Sequence, residues 1–151
     1  MIILAAILAA SAPATEQPRI FAAAGFKKSH GEWRTDCYQP GQGSYEPGAI
    51  ESYGDLNGDG HPEAVVTEGG SFCYGNTGTG FWLLTKGTSG RWSALYESQG
   101  VAEFLHTRGA NKMPDISVGG PGFCFPVVRW SGKAYVNNRF EYDGKRCRPP
   151  E

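Results

Sequence analysis

The segment Gly60-His61-Pro62-Glu63-Ala64-Val65-Val66-Thr67-Glu68-Gly69-Gly70-Ser71-Phe72-Cys73-Tyr74 has a second version later in the chain. It is Asn111-Lys112-Met113-Pro114-Asp115-Ile116-Ser117-Val118-Gly119-Gly120-Pro121-Gly122-Phe123-Cys124-Phe125. Each copy has a proline and then an acid, a short apolar run, Gly-Gly, and Phe-Cys-aromatic. Each leads into an apolar stretch with a tryptophan, Trp82 in the first and Trp130 in the second. The offset of 50 to 52 residues matches the length of one β-propeller blade. A closed propeller takes roughly four or more blades, and this chain has room for about two. The repeat therefore predicts a mainly β domain. Two blade-like antiparallel β-units, about 49–98 and 101–142, pack on one another without closing a propeller, and a short helix precedes them.

The rest of the chain is punctuated accordingly. Glycine is abundant at 22 residues, aromatic residues make up 13%, and charged residues only 19%. That mixture suits short strands joined by tight turns. Residues 18–26 predict the helix, with Ile20, Phe21 and Ala24 on one face. Residues 27–48 read as loop with a strand near Trp33. Strands are expected at 49–53, 63–67, 81–85 and 92–97, the last two joined by the turn Gly87-Thr88-Ser89-Gly90. Residues 101–106 read as one or two helical turns. Further strands are expected at 115–118, 126–130 and 134–137, with a separate edge strand at 139–142.

The first unit contains Asp55-Leu56-Asn57-Gly58-Asp59-Gly60-His61-Pro62-Glu63. Oxygen-bearing side chains alternate around two glycines, a pattern that can wrap a hard cation with six to eight oxygens at about 2.3–2.6 Å. It is not an EF-hand. Position twelve of the loop is Val66, where a bidentate Glu is required, and the segment 64–67 is β-branched and strand-like. The Asp-x-Asn-x-Asp-Gly-x-x-Glu run entering a strand instead resembles the calcium loops of integrin-type FG-GAP and VCBS repeats. In those loops the last acid is usually Asp. The resemblance implies one Ca2+ held by the side chains of Asp55, Asn57, Asp59 and Glu63 and by the carbonyl of His61. A polar turn without metal is the alternative, since Asn-Gly and Asp-Gly are common turn dipeptides. The second unit has lost the acidic loop and keeps only Asp115, so one site is expected rather than two. From Phe21-Ala22-Ala23-Ala24-Gly25-Phe26 to the Cys147 tail, the whole resembles a family of small exported bacterial proteins of unknown function, which implies export and nothing about ligand.

Export is also read from the amino-terminal residues. Residues 2–10 form an apolar run of signal-peptide length, too short to span a bilayer. Ala12-Pro13-Ala14 then offers a cleavage site, so residues 1–14 are expected to be removed, leaving 15–151 as one domain without a transmembrane segment. The expected location is the periplasm or the exterior. The four cysteines, Cys37, Cys73, Cys124 and Cys147, are then expected to form two disulfides. The repeat places Cys73 and Cys124 at equivalent points, which suggests that they pair with each other and that Cys37 pairs with Cys147. The local pairing, Cys37 with Cys73 and Cys124 with Cys147, stays open.

Net charge is −1, so nothing points to nucleic acid. No nucleophile or metalloprotease motif is present, and no catalytic residue is assigned. Tyr74, Asn76, Thr77 and Phe125, beside the repeated cysteines, are the candidate ligand-binding residues. The function expected is a non-enzymatic, calcium-stabilised β-domain that binds a protein or an envelope glycan. A small hydrolase acting on envelope glycan is the alternative.

Overall fold

The computed structural model describes residues 11–151; the apolar run at 2–10 lies outside them. The fold is mainly β and is not a closed propeller. Two antiparallel meanders succeed one another in the chain. The first is β3 (Glu46–Gly54), β4 (Glu63–Gly69), β5 (Thr79–Lys86) and β6 (Trp92–Gln99), paired in that order. The second is β7 (Val101–Arg108), β8 (Pro114–Gly119), β9 (Phe125–Trp130), β10 (Tyr135–Tyr142) and the short β11 (Lys145–Arg146), again in chain order. Ahead of them lie α1 (Gln17–Ala23) and a small hairpin of β1 (Lys27–Ser29) and β2 (Glu32–Arg34). The repeated motif occupies the same place in each meander: second strand, connection, third strand.

The first sheet is the middle of three layers. Ala64, Val66 and Leu84 face α1 and the hairpin, packing with Ile20, Phe21, Ala24, Phe26 and Trp92. Val65, Phe81 and Leu83 face the second sheet and meet Met113, Ile116, Val118, Val128 and Tyr135. Because both faces of β4 and β5 are covered, these strands read as nearly continuous apolar runs rather than alternating ones. Ala12 also packs into the first cluster, and its carbonyl accepts a 3.0 Å bond from Gln17 Nε2.

Three expectations need correction. Residues 101–106 are not helical: they belong to β7, which pairs with β8 from Val101 opposite Gly119. The apolar spacing there fits either element, and the unpaired flank of β8 decides it by supplying hydrogen-bond partners. Gly100 makes the step from β6 into β7 possible. Its φ is +126°, and a Cβ there would collide with the Gly119 carbonyl, so the position admits no side chain. Residues 134–137 and 139–142 do not form two strands. They share one, β10, interrupted by a register shift between Asn137 and Arg139. An inserted residue of this kind is a β-bulge.

The cysteine pairing also differs. Cys37 is bonded to Cys73 and Cys124 to Cys147, with Cα separations of 5.9 and 5.7 Å. Strand register explains this. Glu46 opens β3 opposite Gly69, which closes β4, so the segments carrying Cys37 and Cys73 leave the same end of one sheet. Phe125 lies opposite Glu141, and Glu141 opposite Arg146, so Cys124 and Cys147 flank one end of the other. Each repeated cysteine meets a partner from its own unit's margin, not its counterpart.

Candidate functional site

The acidic loop is closed by its own hydrogen bonds. Asp55 Oδ1 accepts from the N–H groups of Asn57 (3.2 Å) and Gly58 (2.8 Å), and Oδ2 from that of Gly60 (2.8 Å). Gly58 and Gly60 have φ of +76° and +85°, the left-handed conformation that lets these N–H groups turn inward. Asn57 Oδ1 accepts from the Asp59 N–H at 3.4 Å, and Asp59 Oδ1 from the N–H of the half-buried His61 at 2.8 Å. Burial pushes the Asp55 carboxyl up, but the bonds from Gly60, Gly58 and Asn57 outweigh it and hold the pKa below the usual range.

Glu63 is different. It is 1% exposed, at the start of β4. Oε1 accepts from the Leu56 N–H (2.9 Å) and Oε2 from Thr85 Oγ1 (2.8 Å). Burial pushes its pKa up against those two bonds, and the neighbouring Asp59 and Asp55 push the same way. Among the described residues no ion pair reaches Glu63. Arg108 lies close by, but its Nη1 donates to the carbonyls of Leu56 (2.8 Å) and Lys112 (2.7 Å).

The donor set suits a hard cation in chemistry more than in placement. A carboxylate offers about four lone-pair sites, so Asp55, Asp59 and Glu63 each keep acceptor capacity beyond the bonds above. Yet among the described residues no three His, Cys, Asp or Glu side chains converge as a metal site. Cation binding would require the exposed Asp55 and Asp59 to turn.

In the second unit Asp115 takes the place of Glu63, and its charge is matched. It is 0% exposed. It accepts from Arg129 Nε (2.9 Å) and Nη2 (2.8 Å), Arg139 Nη1 (3.0 Å) and Thr107 Oγ1 (2.5 Å). Burial pushes its carboxyl up, but these bonds from Arg129, Thr107 and Arg139 prevail and bring the pKa down to about 2.

A third buried acid was not legible as functional from its neighbours. Glu68 in β4, 1% exposed, accepts from the Thr35 N–H (3.0 Å), Thr35 Oγ1 (2.7 Å), Tyr74 OH (2.6 Å) and Tyr45 OH. It ties the segment carrying Cys37 to the one carrying Cys73. The signal for it is a second acid in β4, just beyond the apolar run Ala64-Val65-Val66. This network places two of the candidate ligand residues in structural roles. Tyr74 ends a single helical turn, α2 (Ser71–Tyr74), with its hydroxyl on Glu68, and Thr77 Oγ1 donates to the Tyr74 carbonyl. Burial and the bond to Glu68 push the Tyr74 phenol well above its ordinary value. Asn76 is exposed on the turn between them.

Phe125 lies elsewhere. It lines an open cleft of about 490 Å³ with Glu103, Leu105, Ser117, Glu141, Tyr142 and the turn Asp143-Gly144. The Tyr142 ring lies 6.0 Å from both Phe125 and Phe123, edge-on to each. Phe123 and Tyr142 are 68% and 51% exposed. The structure thus separates Phe125 from the acidic loop and joins it to Glu103 and Leu105 of β7, Ser117 of β8, and Glu141 and Tyr142 of β10. Set against family models, curated proteins and solved structures, the chain matches none.

Proposed function

We propose that this is an exported, non-enzymatic β-domain that binds a protein or an envelope glycan through the cleft around Phe125, and that Ca2+ at the acidic loop stabilises it. The observation that carries the binding reading is an aromatic cluster beside a cleft, in which Phe123 and Tyr142 are exposed and Phe125 is half-buried. Exposed aromatic surface of this kind costs solubility and is favoured where a partner covers it. Two disulfides suit an oxidising compartment, and among the described residues no helix is long and apolar enough to cross a membrane. Titrating isotope-labelled protein with soluble chitotetraose and with short peptides tests the reading: shifts should gather on Phe125 and Tyr142, and Tyr142→Ala should remove them. Shifts scattered over the surface would refute it, and cleavage of the sugar would move the protein to the hydrolase alternative.

The calcium part rests on the contrast between Glu63 and Asp115. The second unit supplies two guanidinium groups to its buried acid, and the first supplies none, which leaves a charge for a cation to match. Asp55, Asn57, Asp59, Glu63 and the carbonyl of His61 would hold it, as the resemblance to integrin-type loops implies. With three carboxylates against a dication the affinity should be modest, near the 10⁻⁴–10⁻³ M of extracellular modules. Binding to the folded form alone then adds about 0.4–1.4 kcal/mol at roughly 1 mM Ca2+, a rise of a few degrees in Tm that chelator reverses. Asp59→Ala should abolish the rise. Identical melting curves with 5 mM Ca2+ and with excess chelator would remove calcium from the proposal.

A further inference from the structure

We propose that the cleft around Phe125 receives a cationic side chain, the lysine or arginine of an extended basic peptide. This deepens the binding reading above and rests on it. The hydrogen-bonding groups that line the cleft select such a ligand. Its charged residues are Glu103, Glu141 and Asp143, and no lysine or arginine is among its lining residues. Glu141 is already held by Arg139 Nε at 2.5 Å. Glu103 and Asp143 are exposed and have no ion-pair partner among the described residues. Ionised carboxylates only accept, whereas ammonium and guanidinium groups only donate. A neutral sugar presents ring and hydroxyl oxygens that need donors as well, and the cleft offers few.

The aromatic and hydroxyl groups fit the same ligand. Phe125 and Tyr142 present ring surface beside the free carboxylates, and a cation over a ring face adds to the attraction. Ser117 stands in the middle of β8, opposite Glu103 on β7. It is 7% exposed, and its hydroxyl makes no hydrogen bond among the described residues. It is not a fully occluded orphan atom either, so it is reached through the cleft that it lines. That leaves a nearly buried hydroxyl, able to accept from a cationic group, on the wall of the cleft. Asp143 is held rigidly: its φ of +50° and that of Gly144, +74°, are those of a tight primed hairpin turn between β10 and β11. The cleft's volume, about 490 Å³, is within the range of ligand-binding clefts, about 300–1,000 Å³.

The test uses fluorescein-labelled hexalysine and fluorescence anisotropy with the whole domain. Saturable binding is expected, weakened at least tenfold by Glu103→Gln with Asp143→Asn, and likewise by Tyr142→Ala. Asn is tolerated at positive φ, so the turn survives, and equal melting temperatures would confirm intact folding. Asp36→Asn with Glu51→Gln, which removes the same charge away from the cleft, should leave affinity within twofold. Equal weakening by both double variants would mean general charge attraction and overturn the proposal, as would no weakening by the first. Chitotetraose that displaces the probe or binds in its place would overturn the cationic ligand but keep the binding module. Failure of both probes to bind would overturn both.

Discussion

Asp115→Asn isolates the most concentrated electrostatic arrangement in the fold. The substitution keeps size and an acceptor for Thr107, but leaves Arg129 and Arg139 facing a neutral amide. Arg139 is only 8% exposed at its side chain, Arg129 37%. Removing one partner of a buried ion pair costs about 3–5 kcal/mol. Here Arg139 keeps Glu141 at 2.5 Å and Arg129 reaches water, so the lower end applies, about 3 kcal/mol. Linkage gives an independent figure. The Asp115 carboxyl falls from 3.8 to about 2 on folding, which corresponds to about 2 kcal/mol. The depressed pKa fixes the sign. The stabilisation is complete above pH 4 or so and is lost as pH falls through about 2, where the native acid becomes neutral like Asn. Urea unfolding of the disulfide-intact protein should therefore show a gap of about 3 kcal/mol at pH 7 that shrinks below about 1 kcal/mol at pH 2. Other titrating groups are common to both proteins and cancel in the difference. A gap of the same size at both pH values would refute the electrostatic account and leave packing as the cause.

Glu63→Gln should behave oppositely in calcium-free buffer. An acid whose folded pKa is raised costs stability as pH climbs through its unfolded value, so the amide should be neutral or stabilising by up to about 1 kcal/mol at pH 7, read by thermal melts; a loss above about 2 kcal/mol would contradict the burial-driven shift. Gly100→Ala should destabilise by about 2–4 kcal/mol, because strain at positive φ adds to collision with the Gly119 carbonyl, and an unchanged urea midpoint would show that the β6–β7 crossing differs. Unreduced peptide mapping should link Cys37 to Cys73 and Cys124 to Cys147. Loops of 36 and 23 residues should each contribute about 3–4 kcal/mol in the chain-entropy model, so mild reduction should lower Tm sharply, and a Cys73–Cys124 peptide would overturn the fold's strand register.

How far the sequence carried depends on where each signal comes from. The Gly-Gly and Phe-Cys repeat led to two meanders because a repeated strand-turn-strand motif must build a repeated unit. The β-rich runs at Val65-Val66 and Val127-Val128 located the central strands. Residues 101–106 misled because Val101, Phe104 and Leu105 have spacing that serves a helix or a strand, and only the bare edge of β8 settles which. The cysteine pairing failed for a related reason. Equivalence in sequence says where two thiols sit in their own units, whereas bonding depends on which strand ends share a margin. Phe125 was singled out as a candidate ligand residue and is half-buried, but Glu103, Ser117 and Tyr142 were not grouped with it. They come from β7, β8 and β10, and register is what brings them together.

The two buried acids show how one position can be resolved in two ways. Glu63 has Thr85 as its cross-strand neighbour, and Thr85 can offer one neutral hydroxyl. Asp115 is met from the adjoining β9 by Arg129 and from β10 by Arg139. The second unit thus settles the charge within its own sheet. The first unit holds it at the first residue of β4, where the Leu56 N–H is the other partner. Leu56 also packs against the core between the sheets. The acidic loop is therefore joined to the inter-sheet core through Leu56, by its N–H to Glu63 and its side chain to the Val65 cluster, and to the second unit by Asn57 Nδ2, which donates to the Asn111 carbonyl at 3.2 Å. The Phe125 cleft lies on the opposite face of the second sheet: Ser117, which lines it, alternates along β8 with the core-facing Ile116 and Val118.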